Sequence, residues 1–129
     1  MNKELVTIAV MGMDQHENGA IAVSRILKEA QMGVSYLGRF QTPATVVDDA
    51  IAKQATVIGI SCHSWEYMQL VPQLLEEIHR RDIDIPVVIG GSVITEEDAT
   101  KMQELGVAAT FNSGSRDIDI VDCIRDLSK

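Results

Sequence analysis

Apolar and polar positions follow two rhythms along this chain: short continuous apolar runs, and longer stretches with one apolar stripe. The run Leu5 to Met11 (LVTIAVM) is rich in branched residues and too short for a typical helix, so it predicts a buried strand. A polar loop, Gly12 to Asn18, follows. Ile21, Val23, Ile26, Leu27 and Ala30 then share one broad helical face, with Gly33 expected as the C-cap. Val34 to Leu37 predicts the second strand. Thr42 and Pro43 predict a helix start, with a stripe of Val46, Val47, Ala50 and Ile51. Thr56 to Ser61 is the third strand. Leu70, Val71, Leu74, Leu75 and Ile78 mark a helix in which Pro72 fits only the first turn. Pro86 to Ile89 is the fourth strand, stopped by Gly90 and Gly91. Thr95 caps a helix with an acidic first turn, ended by Gly106. Val107 to Phe111 is a weaker fifth strand, and Ile118, Val121, Ile124 and Leu127 mark the last helix.

Strict strand–helix alternation without repeats or linkers predicts one α/β domain over residues 1–129. Its core is a doubly wound parallel sheet, flavodoxin-like, with strand order 2-1-3-4-5. Ligands of such sheets bind beyond the carboxyl ends of the strands. The loops that matter are therefore Gly12–Gly19, Ser61–Met68, Gly90–Ile94 and Asn112–Arg116.

Composition narrows the partners. With 129 residues and a net charge of −8, the chain is a poor fit to nucleic acid or an anionic membrane. No apolar stretch approaches the roughly 20 residues that span a bilayer. Cys62 and Cys123 form no CxxC pair. No basic segment followed by a long apolar one opens the chain, so a cytoplasmic protein is expected.

The loops exclude several ligands. The first, Met13 to Gly19, has two acids and no hydroxyl, unlike an FMN phosphate loop. The third strand ends in Ser61-Cys62-His63 rather than a phosphoacceptor Asp. Neither GxGxxG nor a Walker loop is present. What remains is Asp14-x-His16. A neutral imidazole suits a borderline transition metal, and a carboxylate on its other nitrogen fixes the tautomer. One protein ligand cannot hold a bare ion, but it can complete a metal already held by a macrocycle. Taken alone, Asp14 also suits a turn, Ser61 a backbone cap, and Gly114-Ser115 a loop and helix cap.

Asp14-Gln15-His16-Glu17-Asn18-Gly19 resembles the DxHxxG motif of cobalamin-binding domains, found in adenosylcobalamin-dependent carbon-skeleton mutases and in methionine-synthase-like methyl carriers. The family's Ser after the third strand corresponds to Ser61, its Gly-Gly to Gly90-Gly91, and its Gly-Ser/Thr to Gly114-Ser115. The resemblance implies His16 as the lower axial ligand to cobalt, in place of the cofactor's own base, with Asp14 orienting it. It implies that the displaced nucleotide tail runs between sheet and helices, past Gly19, Ser61, Gly90, Gly91, Gly114 and Ser115. It also implies that Gly91→Val would block the tail and leave the fold intact. His63 stands where the family usually has a Leu that lines this channel.

The look is nearest to acyl-CoA mutases of the methylmalonyl-CoA type. The expected function is the cobalamin subunit of a heteromeric mutase that uses adenosylcobalamin, with no catalytic side chain of its own. A separate TIM-barrel substrate-binding subunit is the expected partner, because a barrel of roughly 250 residues has no room here. The alternatives are a corrinoid methyl carrier, which in this family carries a helical cap ahead of the first strand, and a free-standing cobalamin-binding module.

Overall fold

A computed structural model describes residues 4–14, 16–112 and 114–129. Gln15 of the motif, Ser113 of the last loop and residues 1–3 lie outside the described residues. The elements alternate as expected. They are β1 (Leu5–Met11), α1 (Asn18–Glu29), β2 (Gly33–Gln41), α2 (Pro43–Lys53), β3 (Val57–Ser61), α3 (Tyr67–Arg80), β4 (Val87–Gly90), α4 (Glu96–Leu105), β5 (Ala109–Phe111) and α5 (Asp117–Leu127). The five strands pair in parallel in the order β2-β1-β3-β4-β5.

Side chains alternate across a strand, so the sheet builds two cores. Val6, Ile8 and Val10 of β1 face α1 and α5, where Ala20, Leu27, Ile120 and Ile124 bury them. Ala9 and Met11 face the other way, against Val46 and Val47 of α2 and Val71 and Leu74 of α3. Parallel pairing puts every strand's carboxyl end on one edge, and the order reverses between β1 and β3. That is where the loop carrying Asp14 and His16 emerges.

Several local expectations are corrected. Gly33 opens β2 and caps nothing; α1 ends at the Ala30 C-cap. β2 runs four residues past Leu37 through two register shifts against β1: Gly38, at φ +84°, pairs with Ala9, and Phe40, at φ +64°, falls in the second shift before Gln41 pairs with Met11. Pro72 lies beyond the first turn of α3, which begins at Tyr67. Ile51 and Ile118 are exposed, and Ile120 takes the core position expected of Ile118. Met13 is 70% exposed. Tyr67, at the start of α3, is buried, and its phenol donates to Asp98 at 3.1 Å. The Thr42 capping box and the Thr95 cap form as expected.

Candidate functional site

Asp14 lies three residues past the end of β1, at the switch point, and its side chain is only 4% exposed. Both of its oxygens are engaged. Oδ1 accepts from the His16 backbone N–H at 3.0 Å and lies 2.8 Å from His16 Nδ1. Oδ2 accepts from the His63 backbone N–H at 2.8 Å. One carboxylate thus ties the loop after β1 to the loop after β3. Burial pushes the Asp14 carboxyl upward, but the two N–H groups and the His16 ring outweigh it, and its pKa falls below the ordinary 3.8. An ionised Asp14 only accepts, so it holds a neutral His16 as the Nδ1–H tautomer and leaves Nε2 as a lone-pair donor. The His16 side chain is 68% exposed.

The rest of the loop is braced on both sides. Met13 N–H donates to Glu66 at 2.9 Å, and Gly12 N–H donates to the Gln41 carbonyl at 2.8 Å. Gly12 sits at φ +70°, a backbone conformation that favours glycine, and a Cβ there would stand 2.6 Å from Leu70 Cδ1. Just before α1, the Glu17 carboxylate accepts from the Tyr36 phenol and pairs with Arg39 at 3.1 Å. Burial first, then Glu17, pushes the Tyr36 phenol up to about 12. Tyr36, Arg39 and Glu66 are not legible in the motif, because each reaches the loop from another element; Glu17 stands next to His16 in sequence, but its partners Tyr36 and Arg39 lie on β2.

Beside His16 a groove of about 270 Å³ opens between the sheet and the helix pair α1 and α5. Gly19, Ser61, Gly90 and Gly91 line it, which gathers four of the expected residues in one place. Gly114 and Ser115 are not among its lining residues; Phe111 and Asn112 take that side. Ser115 Oγ instead accepts from Asn112 N–H at 3.1 Å, and Gly114 N–H donates to Asn112 Oδ1 at 2.8 Å, so this pair builds its own turn. Ser115 does not cap α5 either; the N-cap position is Arg116.

The glycines divide by cause. A Cβ on Gly91, at φ +156°, would stand 1.7 Å from the Cys62 carbonyl oxygen. Its missing side chain is therefore demanded by the approach of two loops, and the expectation that Gly91→Val would spare the fold is corrected. A Cβ on Gly59, in the middle of β3, would meet Ile8, Val88 and Val6 at ordinary contact distances of 3.7, 3.8 and 3.9 Å. Gly59 lines the groove and went unnoticed in the sequence, where it sits inside an apolar run without a turn signal. Cys62 is buried, and burial, then Asp14, pushes its thiol upward, so it offers no nucleophile here. Among the described residues no group of three or more His, Cys, Asp or Glu is placed to hold a metal ion by itself.

Residues 4–118 match the B12 binding domain family. The 2-hydroxyisobutanoyl-CoA mutase small subunit of Aquincola tertiaricarbonis is 34% identical over 122 residues, covering 95% of this chain and 90% of that protein. Ethylmalonyl-CoA mutase of Cereibacter sphaeroides is 38% identical over 100 residues, which are 78% of this chain but only 15% of that enzyme. Among solved structures, a cobalamin-binding protein from Desulfitobacterium hafniense superposes with a TM-score of 0.84, over 97% of this chain and 59% of that one. At 16% identity that likeness shows a shared fold. On the match across residues 4–118, and on the two mutase relatives, this chain belongs to the B12-binding domain family.

Proposed function

We propose that this chain is the cobalamin-binding small subunit of a heteromeric acyl-CoA mutase, and that His16 Nε2 is the lower ligand to cobalt in place of the cofactor's own base. The observation that carries the reading is the Asp14–His16 pair, with Nδ1 engaged at 2.8 Å, beside an apolar groove. The residues present fit the group. An exposed imidazole with a fixed tautomer can complete a macrocycle's metal, and a groove floored by Gly59 can take a displaced tail. His16, Asp14, Gly19, Ser61, Gly90 and Gly91 would hold the cofactor; a role for Gly114 and Ser115 would come through the turn that places Asn112.

Adenosylcobalamin, when bound, supplies the radical chemistry of a carbon-skeleton rearrangement. The chain's own part is to fix the imidazole, hold the tail and keep water from the lower face. No side chain of this chain is assigned to the substrate. A larger subunit with a TIM barrel would cover the upper face and bind an acyl-CoA; the small-subunit relative from Aquincola tertiaricarbonis supports the pairing of a small with a larger subunit. Met13, Phe40 and Trp65, at 70, 49 and 61% exposure, follow or end three neighbouring strands on the same edge and form the apolar rim such a subunit would cover. The free cysteines fit a reducing cytoplasm, and among the described residues no helix is long and apolar enough to cross a membrane.

The deciding experiment is paramagnetic resonance of the chain loaded with cob(II)alamin, with and without nitrogen-labelled histidine. A nitrogen splitting that changes with the label, and is lost in His16→Ala, is expected. A signal from the cofactor's own base, unchanged by the label, would sink the reading. For the partner, the chain alone with adenosylcobalamin should isomerise no acyl-CoA, and activity should appear on adding the barrel subunit. Trp65→Glu should weaken that assembly by about 10-fold or more while cobalamin binding stays intact. Transfer of a methyl group by the chain would favour a methyl carrier instead.

A further inference from the structure

The groove is polar at its mouth and apolar within. Ser61, His63, Ser92 and Asn112 lie at or after the carboxyl ends of β3, β4 and β5, whereas Val6, Val23 and Ile124 line it toward the other end of the sheet. His63 spans this mouth. Its Nε2 stands 2.9 Å from where a Cβ on Gly19 would be, and its Nδ1 is 3.5 Å from Ser92 Oγ. Its ring centroid is 5.9 Å from that of His16. The backbone N–H to Asp14 at 2.8 Å fixes where the side chain starts.

A contact of 3.5 Å is at the outer limit of a hydrogen bond, so Ser92 does not saturate the imidazole. A cobalamin tail leaves the ring through an amide-linked aminopropanol, continues as a phosphodiester and a ribose, and ends in an aromatic base. Its polarity therefore falls in the same order as that of the groove, from the mouth beside His16 inward. A tail entering from the mouth would bring its polar link to His63 and Ser92 and its base to the apolar side chains within.

We propose that His63, together with Ser92, is a specificity-determining residue that grips the sugar–phosphate link of the cofactor's tail; this rests on the reading that a cobalamin tail enters the groove. The Leu usual at this position offers no donor. An imidazole offers one N–H in either neutral tautomer, aimed across the mouth at the path of the link. Gly19 is small on the same account, because a methyl group there would push against Nε2.

The test is a binding titration of the intact chain with cobalamin and with cobinamide, the corrinoid that lacks the nucleotide. His63→Leu keeps the backbone N–H to Asp14, and should weaken cobalamin by about 3- to 10-fold, the worth of one net hydrogen bond, while cobinamide binds as before. His63→Gln, which keeps a donor, should recover most of the loss. Ser92→Ala should cost less in the His63→Leu background than alone, because the two act on one link. Equal losses for both corrinoids, or tighter cobalamin binding by His63→Leu, would overturn the assignment, the latter by showing that the ring obstructs the tail. A wild-type chain that binds cobinamide as well as cobalamin would show instead that no tail uses the groove, and the assignment would fall with that reading.

Discussion

Asp14 makes one carboxylate serve two loops, and its removal should therefore act on binding and on stability together. Asp14→Ala frees the His16 ring and leaves the His63 N–H without its acceptor. Cobalamin affinity should fall by about 10- to 100-fold, as for other carboxylates behind a metal-bound histidine. Urea unfolding of the unloaded chain should show a loss of about 1–3 kcal/mol. An affinity loss without the stability loss would mean that the bridge to His63 contributes nothing. Tyr36 gives a pH-dependent counterpart. Its phenol is raised from 10.0 to about 12 by burial and by Glu17, so the folded state favours the protonated form. That stabilisation is complete below pH 10 and is lost as pH rises toward about 12. Unfolding of wild type and Tyr36→Phe, compared across this window, should show a difference that is flat below pH 10 and shrinks above it. A phenol that ionises near 10 in the absorbance titration would refute a Tyr36 that is both buried and bonded to Glu17.

At the scale of elements, β3 and the loop after β4 carry two glycines that should behave in opposite ways. Gly59→Val puts its first carbon at ordinary contact distance and its methyls into the groove, so the fold should hold. Cobalamin should weaken by about 10-fold or more, and cobinamide much less, since one misplaced side chain in a filled site costs about 1–3 kcal/mol. Gly91→Val meets the Cys62 carbonyl and should lose about 4 kcal/mol or more of stability, or fail to fold. Thermal unfolding and the two titrations separate these outcomes. Element identity was legible throughout, because continuous apolar runs and 3.6-residue stripes survive any local irregularity. Ends were less so. Gly38 and Phe40 look like a loop in sequence, yet two shifts in the β1–β2 register carry the strand past them. Pro72 signals a first turn that Tyr67 had already begun. The candidate site shows the same division. Asp14 and His16 act through short-range geometry that spacing records, whereas Gly59, Glu66 and Asn112 reach the site only through strand order and loop packing.

For the whole molecule, a tail lying in the α1–α5 groove would fill a gap in one of the two cores, so cofactor binding should register as global stability. At 100 times its dissociation constant, a ligand of the native state adds about 2.7 kcal/mol. For a domain of this size that is about 10 °C in Tm. Cobalamin should produce such a shift, cobinamide a smaller one, and neither should do so in His16→Ala to the same extent. The shared Asp14 carboxylate then gives the complex a kinetic character. The corrin, through His16, and the tail, through the loop of His63, would be anchored to one rigid point, so the cofactor behaves as a chelating ligand. When one end lets go, the other keeps it at high effective concentration beside its site, and re-attachment competes with escape. Release would need both ends to open within the same brief interval, which makes retention far longer than either grip alone would allow.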